Sequence, residues 1–104
     1  MGSYEGMFIL KPQLEGETLE KETNFVKNEI VKQLGEISEA KVIGKRRLSY
    51  PIQKLSDGIY LLINFAAKPE AIDTIVKRVR MNSEVLRVGI FRKEAGSLLN
   101  EIRD

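Results

Sequence analysis

Hydrophobic positions recur along this chain with two periods, about two residues and about 3.6 residues, and the switches between them mark its elements. Residues 3–11 (SYEGMFILK) alternate, with Tyr4, Phe8 and Leu10 on one face and Met7 and Ile9 on the other. Lys11-Pro12 ends that strand, because proline cannot donate to a ladder. Thr18 then reads as a helix cap, Leu19, Val26, Ile30 and Leu34 recur at helical spacing, and Gly35 reads as the stop. Residues 36–52 alternate again, Val42, Leu48, Tyr50 and Ile52 sharing one parity and Lys41, Lys45, Arg47 and Ser49 the other. Ser56-Asp57-Gly58 predicts a turn, followed by a strand over residues 59–65 with Ile59, Leu61, Ile63 and Phe65 on one face and Tyr60, Leu62 and Asn64 on the other. Lys68-Pro69-Glu70 opens a second helix, with proline in its first turn. Its stripe is Ile72, Ile75, Val76 and Val79, and Asn82 ends it. Residues 85–92 form the last strand, with Val88 and Ile90 against Arg87, Gly89 and Phe91.

The order β-α-β-β-α-β predicts an α+β, ferredoxin-like domain over residues 1–93, a four-stranded antiparallel sheet with both helices on one face, and a C-terminal tail over residues 94–104. That topology leaves the second sheet face uncovered. Met7, Ile9, Tyr60, Leu62 and Phe91 fall on it, so it reads as a surface for a protein partner.

Composition narrows the function classes. A chain of 104 residues with 42% hydrophobic and 31% charged residues reads as one globular domain, and no apolar run approaches the roughly 20 residues that cross a bilayer. Glu5 precedes any basic start, so no signal peptide is read, and the absence of cysteine fits a cytosolic protein. With no histidine, the commonest general base and the commonest metal ligand are both missing. No cofactor, metal site, small-molecule substrate or membrane is expected.

Net charge is only +2, but it is unevenly spread: residues 1–40 hold 4 Lys+Arg and 8 Asp+Glu, residues 41–93 hold 12 and 4, and residues 94–104 hold 1 and 3. Within the basic block lies GKRRLSYPIQK, residues 44–54. Lysine on an edge strand discourages edge-to-edge association. That accounts for one or two cations, less well for Lys41, Lys45, Arg46, Arg47 and Lys54 together. A second cluster comprises Lys77, Arg78 and Arg80, then Arg87, Arg92 and Lys93. Arginine predominates in it, and the planar guanidinium fork suits phosphate oxygens. Together the two clusters read as a footprint for a phosphate backbone.

GKRRLSYPIQK followed by DGIYLLINF resembles the bacterial small-subunit ribosomal protein family number six, whose pattern is a basic strand running into Leu-Ala-Tyr-Pro-Ile and then a further strand. YEGMFILKP resembles that family's opening strand and RMNSEVLRVGIFRK its ending. Ser49 stands where alanine is usual, and Ile43 where many members carry tryptophan. The resemblance implies a structural role on the cytoplasmic ribosome, binding ribosomal RNA in the small subunit's central domain together with small-subunit protein eighteen. It implies Lys45, Arg46, Arg47, Arg80, Arg87, Arg92 and Lys93 as RNA-binding residues, and Ile9, Tyr60, Leu62, Phe91 and the tail residues Leu98 and Leu99 as partner-binding residues. Two other classes share the fold. An RNA-recognition-type module stacks single-stranded bases on central-strand aromatics, but here those strands offer Met7, Ile9 and Leu62, with only Tyr60 aromatic. An acylphosphatase-like hydrolase needs an anion cradle, and the first loop, KPQLEGET, has no arginine for one.

Overall fold

The computed structural model describes residues 1–93, so the tail with Leu98 and Leu99 lies outside the described residues. Its elements follow the predicted order: β1 (Gly2–Leu10), α1 (Gly16–Lys32), β2 (Glu36–Ile52), β3 (Leu55–Ala67), a 3-10 turn (Pro69–Ala71), α2 (Ile72–Arg80) and β4 (Val85–Arg92). The strands form one antiparallel sheet in the order β2-β3-β1-β4, which puts β2 and β4 at opposite edges. The core lies on one side of it. There Phe8, Leu10, Leu61 and Ile63 meet Val26 and Ile30 of α1 and Ile75 and Val79 of α2, each of them fully buried.

Local chemistry sets the helix ends. Thr18 acts at the third helical position, not as the cap: Glu15 is the N-cap residue, and its N–H donates to Thr18 Oγ1 at 3.0 Å. At the far end, Gly35 N–H donates to Ile30 O at 2.9 Å and Leu34 N–H to Val31 O at 2.9 Å, a Schellman closure. The left-handed residue of that closure is Leu34, at φ 63°, one position before the glycine. Gly35 is needed for a different reason, because a Cβ there would stand 2.6 Å from Ile30 Cγ2 and 2.9 Å from Ile30 O. In the second helix, Pro69 starts a 3-10 turn and α2 proper begins only at Ile72 and ends at Arg80, before Asn82. Asn82 instead accepts from the Glu84 N–H at 2.8 Å and donates to Glu22 Oε1 at 2.7 Å.

One charged group is buried between the helices. Glu29, 3% exposed, accepts from Arg78 Nε at 2.6 Å and from Lys32 Nζ at 3.4 Å. The Arg78 hydrogen bond holds this carboxyl below the usual carboxylate range, although burial pushes it upward.

Strand β2 departs from the simple alternation in three places, the last of them between Arg47 and Ile52 near the hairpin. Its register against β3 shifts between Ile37 and Glu39 and again between Val42 and Gly44, where Gly44 has φ 122°. A bulge inserts one residue and reverses the facing of all that follow. Val42 therefore stays on the helix side opposite Leu61, while Arg46, opposite Gly58, takes the other side with Leu48 and Tyr50. Lys41, opposite Leu62, likewise parts from Lys45 and Arg47, opposite Ile59 and Asp57. The expected turn also moves. Gln53 and Lys54, at φ 51° and 67°, form the hairpin, and Ser56-Asp57-Gly58 belongs to β3.

The second sheet face is not the uncovered plane expected. Met7 is 9% exposed, Ile9 7% and Leu62 3%, while Tyr60 is half-buried and Phe91 is 50% exposed. For Ile9 the cause is visible: the reversed facing of β2 brings Leu48, 8% exposed, beside Gly58 and Ile9.

Replacing Leu34 by glycine removes left-handed strain from an exposed side chain and is expected to raise Tm by about 2–8 °C, whereas Gly35→Ala lowers it. Thermal melts by circular dichroism check both signs. For Glu29 the folded value lies below the unfolded one, so its ionised form contributes stability above the ordinary carboxylate pKa, lost as pH falls through the lowered value. Arg78→Met is expected to destabilise at neutral pH by about 2 kcal/mol, less than for a fully buried pair because Arg78 is half exposed. Melts from about pH 7 down to about pH 3 should show that deficit shrinking as Glu29 protonates. A deficit independent of pH contradicts this account.

Candidate nucleic-acid interface

A β2 edge that carries cations is accessible by position alone, and the bulge at Gly44 decides which way each cation stands. Lys45, Arg46 and Arg47 are all exposed. Arg46 Nη1 donates to the Lys45 carbonyl at 3.1 Å, a local bond that leaves its charge uncompensated. Past Arg47 the ladder is interrupted until Ile52 pairs with Leu55, and within that gap Leu48 turns inward while Tyr50 stays 58% exposed.

Tyr50 is where the two basic clusters meet. Arg87 Nη1 on β4 donates to Tyr50 Oη at 2.8 Å, and the guanidinium carbon lies 5.2 Å from the Tyr50 ring centroid, a cation–π contact. In a flat sheet β2 and β4 would be three strand spacings apart, about 14 Å. The distal part of the β2–β3 hairpin (the arm) therefore bends across the second sheet face to reach β4. Gly58 permits that bend, since a Cβ there would run into Ile9 Cγ2 and lie 3.4 Å from Leu48 Cδ2.

The remaining predicted RNA residues are more dispersed. Arg80 is exposed at the C-terminal end of α2, and its neighbour Arg78 is committed to Glu29. Arg92 pairs with Tyr4 and lies 5.9 Å from that ring, on the helix side of β4 and so opposite in facing to Arg87. Lys93 is exposed and donates its N–H to Ser3 O at 2.8 Å. Among the described residues, none of the ion pairs found uses Lys45, Arg46, Arg47, Arg80, Arg87 or Lys93.

Sequence reasoning missed Tyr50, because strict alternation assigned its ring to the core side. The signal was Gly44, a glycine inside a β-prone run, which often marks a bulge.

The second sheet face is polarised along its strands. At one end Glu39, Asn64, Glu5 and Phe91 stand in one row, with Asn64 Nδ2 donating to Glu39 Oε1 at 3.1 Å. At the other end stand Arg46, Tyr50 and Arg87. Among the described residues no group of three or more acidic, histidine or cysteine side chains is placed to hold a metal, and no helix is long and apolar enough to cross a membrane.

Comparison with known proteins accords with this architecture. Residues 3–92 match the family model described as ribosomal protein S6. The chain is 36% identical over 101 residues to the small ribosomal subunit protein bS6 of Pseudarthrobacter chlorophenolicus, covering 97% of this chain and 100% of that one. It is 40% identical over 94 residues to the bS6 of Caldanaerobacter subterraneus, covering 90% and 99%. Among solved structures, the 30S ribosomal protein S6 of Thermotoga maritima superposes with a TM-score of 0.83 at 28% identity, covering 98% of this chain and 94% of that one. The C-terminal domain of MgtC from Mycobacterium tuberculosis shares the fold alone, with a TM-score of 0.56 at 13% identity and 93% of each chain covered. With four strands, two helices and nearly its whole described length matched, this chain belongs to the ribosomal protein S6 family, and it is a structural, non-enzymatic component of the small ribosomal subunit.

Proposed function

We propose that the chain binds ribosomal RNA of the small subunit's central domain, in company with small-subunit protein eighteen, and that the β2–β3 arm carries the principal RNA contact. The observation that carries this reading is the run Lys45-Arg46-Arg47, three exposed cations on an edge strand with no ion pair found to neutralise them among the described residues. Phosphate oxygens supply the missing counter-charge, and contact with them releases condensed counterions. Arg87 adds to this field through its place beside Tyr50, Arg92 and Lys93 extend it along the β4 edge, and Arg80 adds a cation at the end of α2. With a net charge of only +2, long-range attraction is weak, so a second protein sharing the RNA is the economical source of affinity.

For that protein the exposed approach is Phe91 on the edge strand β4, with half-buried Tyr60 on the central strand β3; Ile9 and Leu62 share that sheet face and are buried. The stacking mode of an RNA-recognition module is not favoured, because on the central strands of this face Met7, Ile9 and Leu62 are buried and the single aromatic, Tyr60, is half-buried.

Arg47→Gln is the cleaner variant, since glutamate at 47 would stand opposite Asp57 and add like-charge repulsion. Binding to small-subunit ribosomal RNA, titrated with salt and measured with and without protein eighteen, is expected to show a slope reduced by about 0.7–0.9 for each phosphate that the variant no longer neutralises. Tm should move little, because Arg47 is exposed. An unchanged affinity and slope for a variant lacking all three of Lys45, Arg46 and Arg47 would remove the arm from the RNA interface.

A further inference from the structure

We propose that Tyr50 is a stacking platform for one unpaired RNA base, with Arg87 fixing the ring from behind. This rests on the RNA-binding reading and assigns it a particular contact. Of the tyrosines, Tyr4 is 6% exposed and stacked on Phe65, and Tyr60 is half-buried, whereas Tyr50 is 58% exposed. Its ring is not free to turn. The Arg87 guanidinium covers one face at 5.2 Å from the centroid and its Nη1 holds the hydroxyl at 2.8 Å. With Tyr50 58% exposed, the ring has surface left for a flat partner. Among the described residues no other ring or guanidinium is found against it.

A nucleobase fits this description better than an aliphatic side chain does. Stacking on an aromatic ring is how proteins hold unpaired bases, and a guanidinium on the far face adds a cation–π contribution. A ring held beforehand loses little further freedom when a base arrives. The surroundings supply the phosphate side of the same nucleotide: Arg46 stands on the same side of β2 as Tyr50, and Arg87 has further N–H groups beyond the one given to Tyr50. The bend of the arm thus places one exposed aromatic between cations drawn from both edges of the sheet, which neither edge offers by itself.

The test compares Tyr50→Leu, Tyr50→Phe and Arg47→Gln for binding of small-subunit ribosomal RNA in the presence of protein eighteen, each across a salt series, with melting curves for each variant. Tyr50→Leu is expected to weaken binding by about 5- to 150-fold with the salt slope unchanged, since stacking displaces no counterions. Tyr50→Phe keeps the ring and should bind within about twofold of the parent chain. A fall in affinity below about twofold in Tyr50→Leu, an equal fall in Tyr50→Phe, or a slope that drops with the affinity would each overturn the proposal. So would a Tyr50→Leu variant that fails to capture protein eighteen in the absence of RNA, which would make this a protein contact. If the variant lacking all three of Lys45, Arg46 and Arg47 leaves binding untouched, the fault lies instead with the RNA-binding reading.

Discussion

A strand's side chains alternate with a period of two, so a single inserted residue redirects everything after it, and β2 carries such an insertion at Val42–Gly44. Before that point β2 sends Ile37, Ala40 and Val42 toward the helix side, opposite Phe65, Ile63 and Leu61. After it, Leu48 and Tyr50 stand on the other side of the sheet, while Lys45 and Arg47, exposed, share the side of Ile59 and Asp57. Gly44 sustains the bulge at φ 122°, a conformation costly for any residue with a Cβ. The facing of Lys45, Arg46 and Arg47 is the reverse of what continued alternation from Lys41 would give, and it follows from that shift.

The bend that follows changes what the sheet exposes. Ferredoxin-like topology covers one face with helices and leaves the other to chance, and a bare apolar sheet invites association. Here Leu48 packs beside Ile9, Gly58 makes room for it, and Tyr50 fastens the arm to Arg87 on the far edge strand. These contacts are few and lie outside the main core, in a segment whose ladder is already broken between Arg47 and Ile52. Local opening is therefore easier for the arm than for β1 or β3, whose side chains are buried in the core. A binding element drawn from the less stable margin of a fold is consistent with a protein that has to fit against large, shaped partners.

Much of the fold was legible in the sequence because its signals were redundant. Element order, the apolar faces of β1, β3 and α2 and the bounds of β2 rest on long periodic runs, where several residues would have to mislead together. What escaped was decided by single backbone positions. The hairpin formed at Gln53-Lys54, although Ser56-Asp57-Gly58 has the stronger turn composition, because pairing of Arg46 and Arg47 with Gly58 and Asp57 extends the ladder past that point. Leu34 took the left-handed position beside a glycine that was needed elsewhere, against Ile30. The candidate site was legible in its charge but not in its geometry. Lys45, Arg46 and Arg47 stand out in any reading of composition, whereas the meeting of Tyr50 with Arg87 joins residues 37 positions apart across the width of the sheet.

The same distinction explains how the chain sorts its cations. Net charge is nearly balanced, yet the acids and bases are not neutralised evenly. Several acidic groups of the N-terminal part serve structure: Glu29 holds Arg78 between the helices, and Glu22 anchors Asn82. Lys11 is likewise engaged, with Glu84 at 3.6 Å. Each of these contacts lies on the helical side or in the loops that join it to the sheet. Among the described residues, the cations with no acidic partner in the ion pairs found include Lys45, Arg46 and Arg47 on the arm, Arg87 and Lys93, and Arg80 at the end of α2, but also Lys21, Lys27, Lys68 and Lys77 on or beside the helices. A desolvated charge needs its counter-ion within the fold, while an exposed one can wait for a ligand at little cost to stability. The fold thus keeps its internal ion pairs where they join helices and loops, and what sets the arm apart is the density of its exposed cations, three in a row on one edge strand.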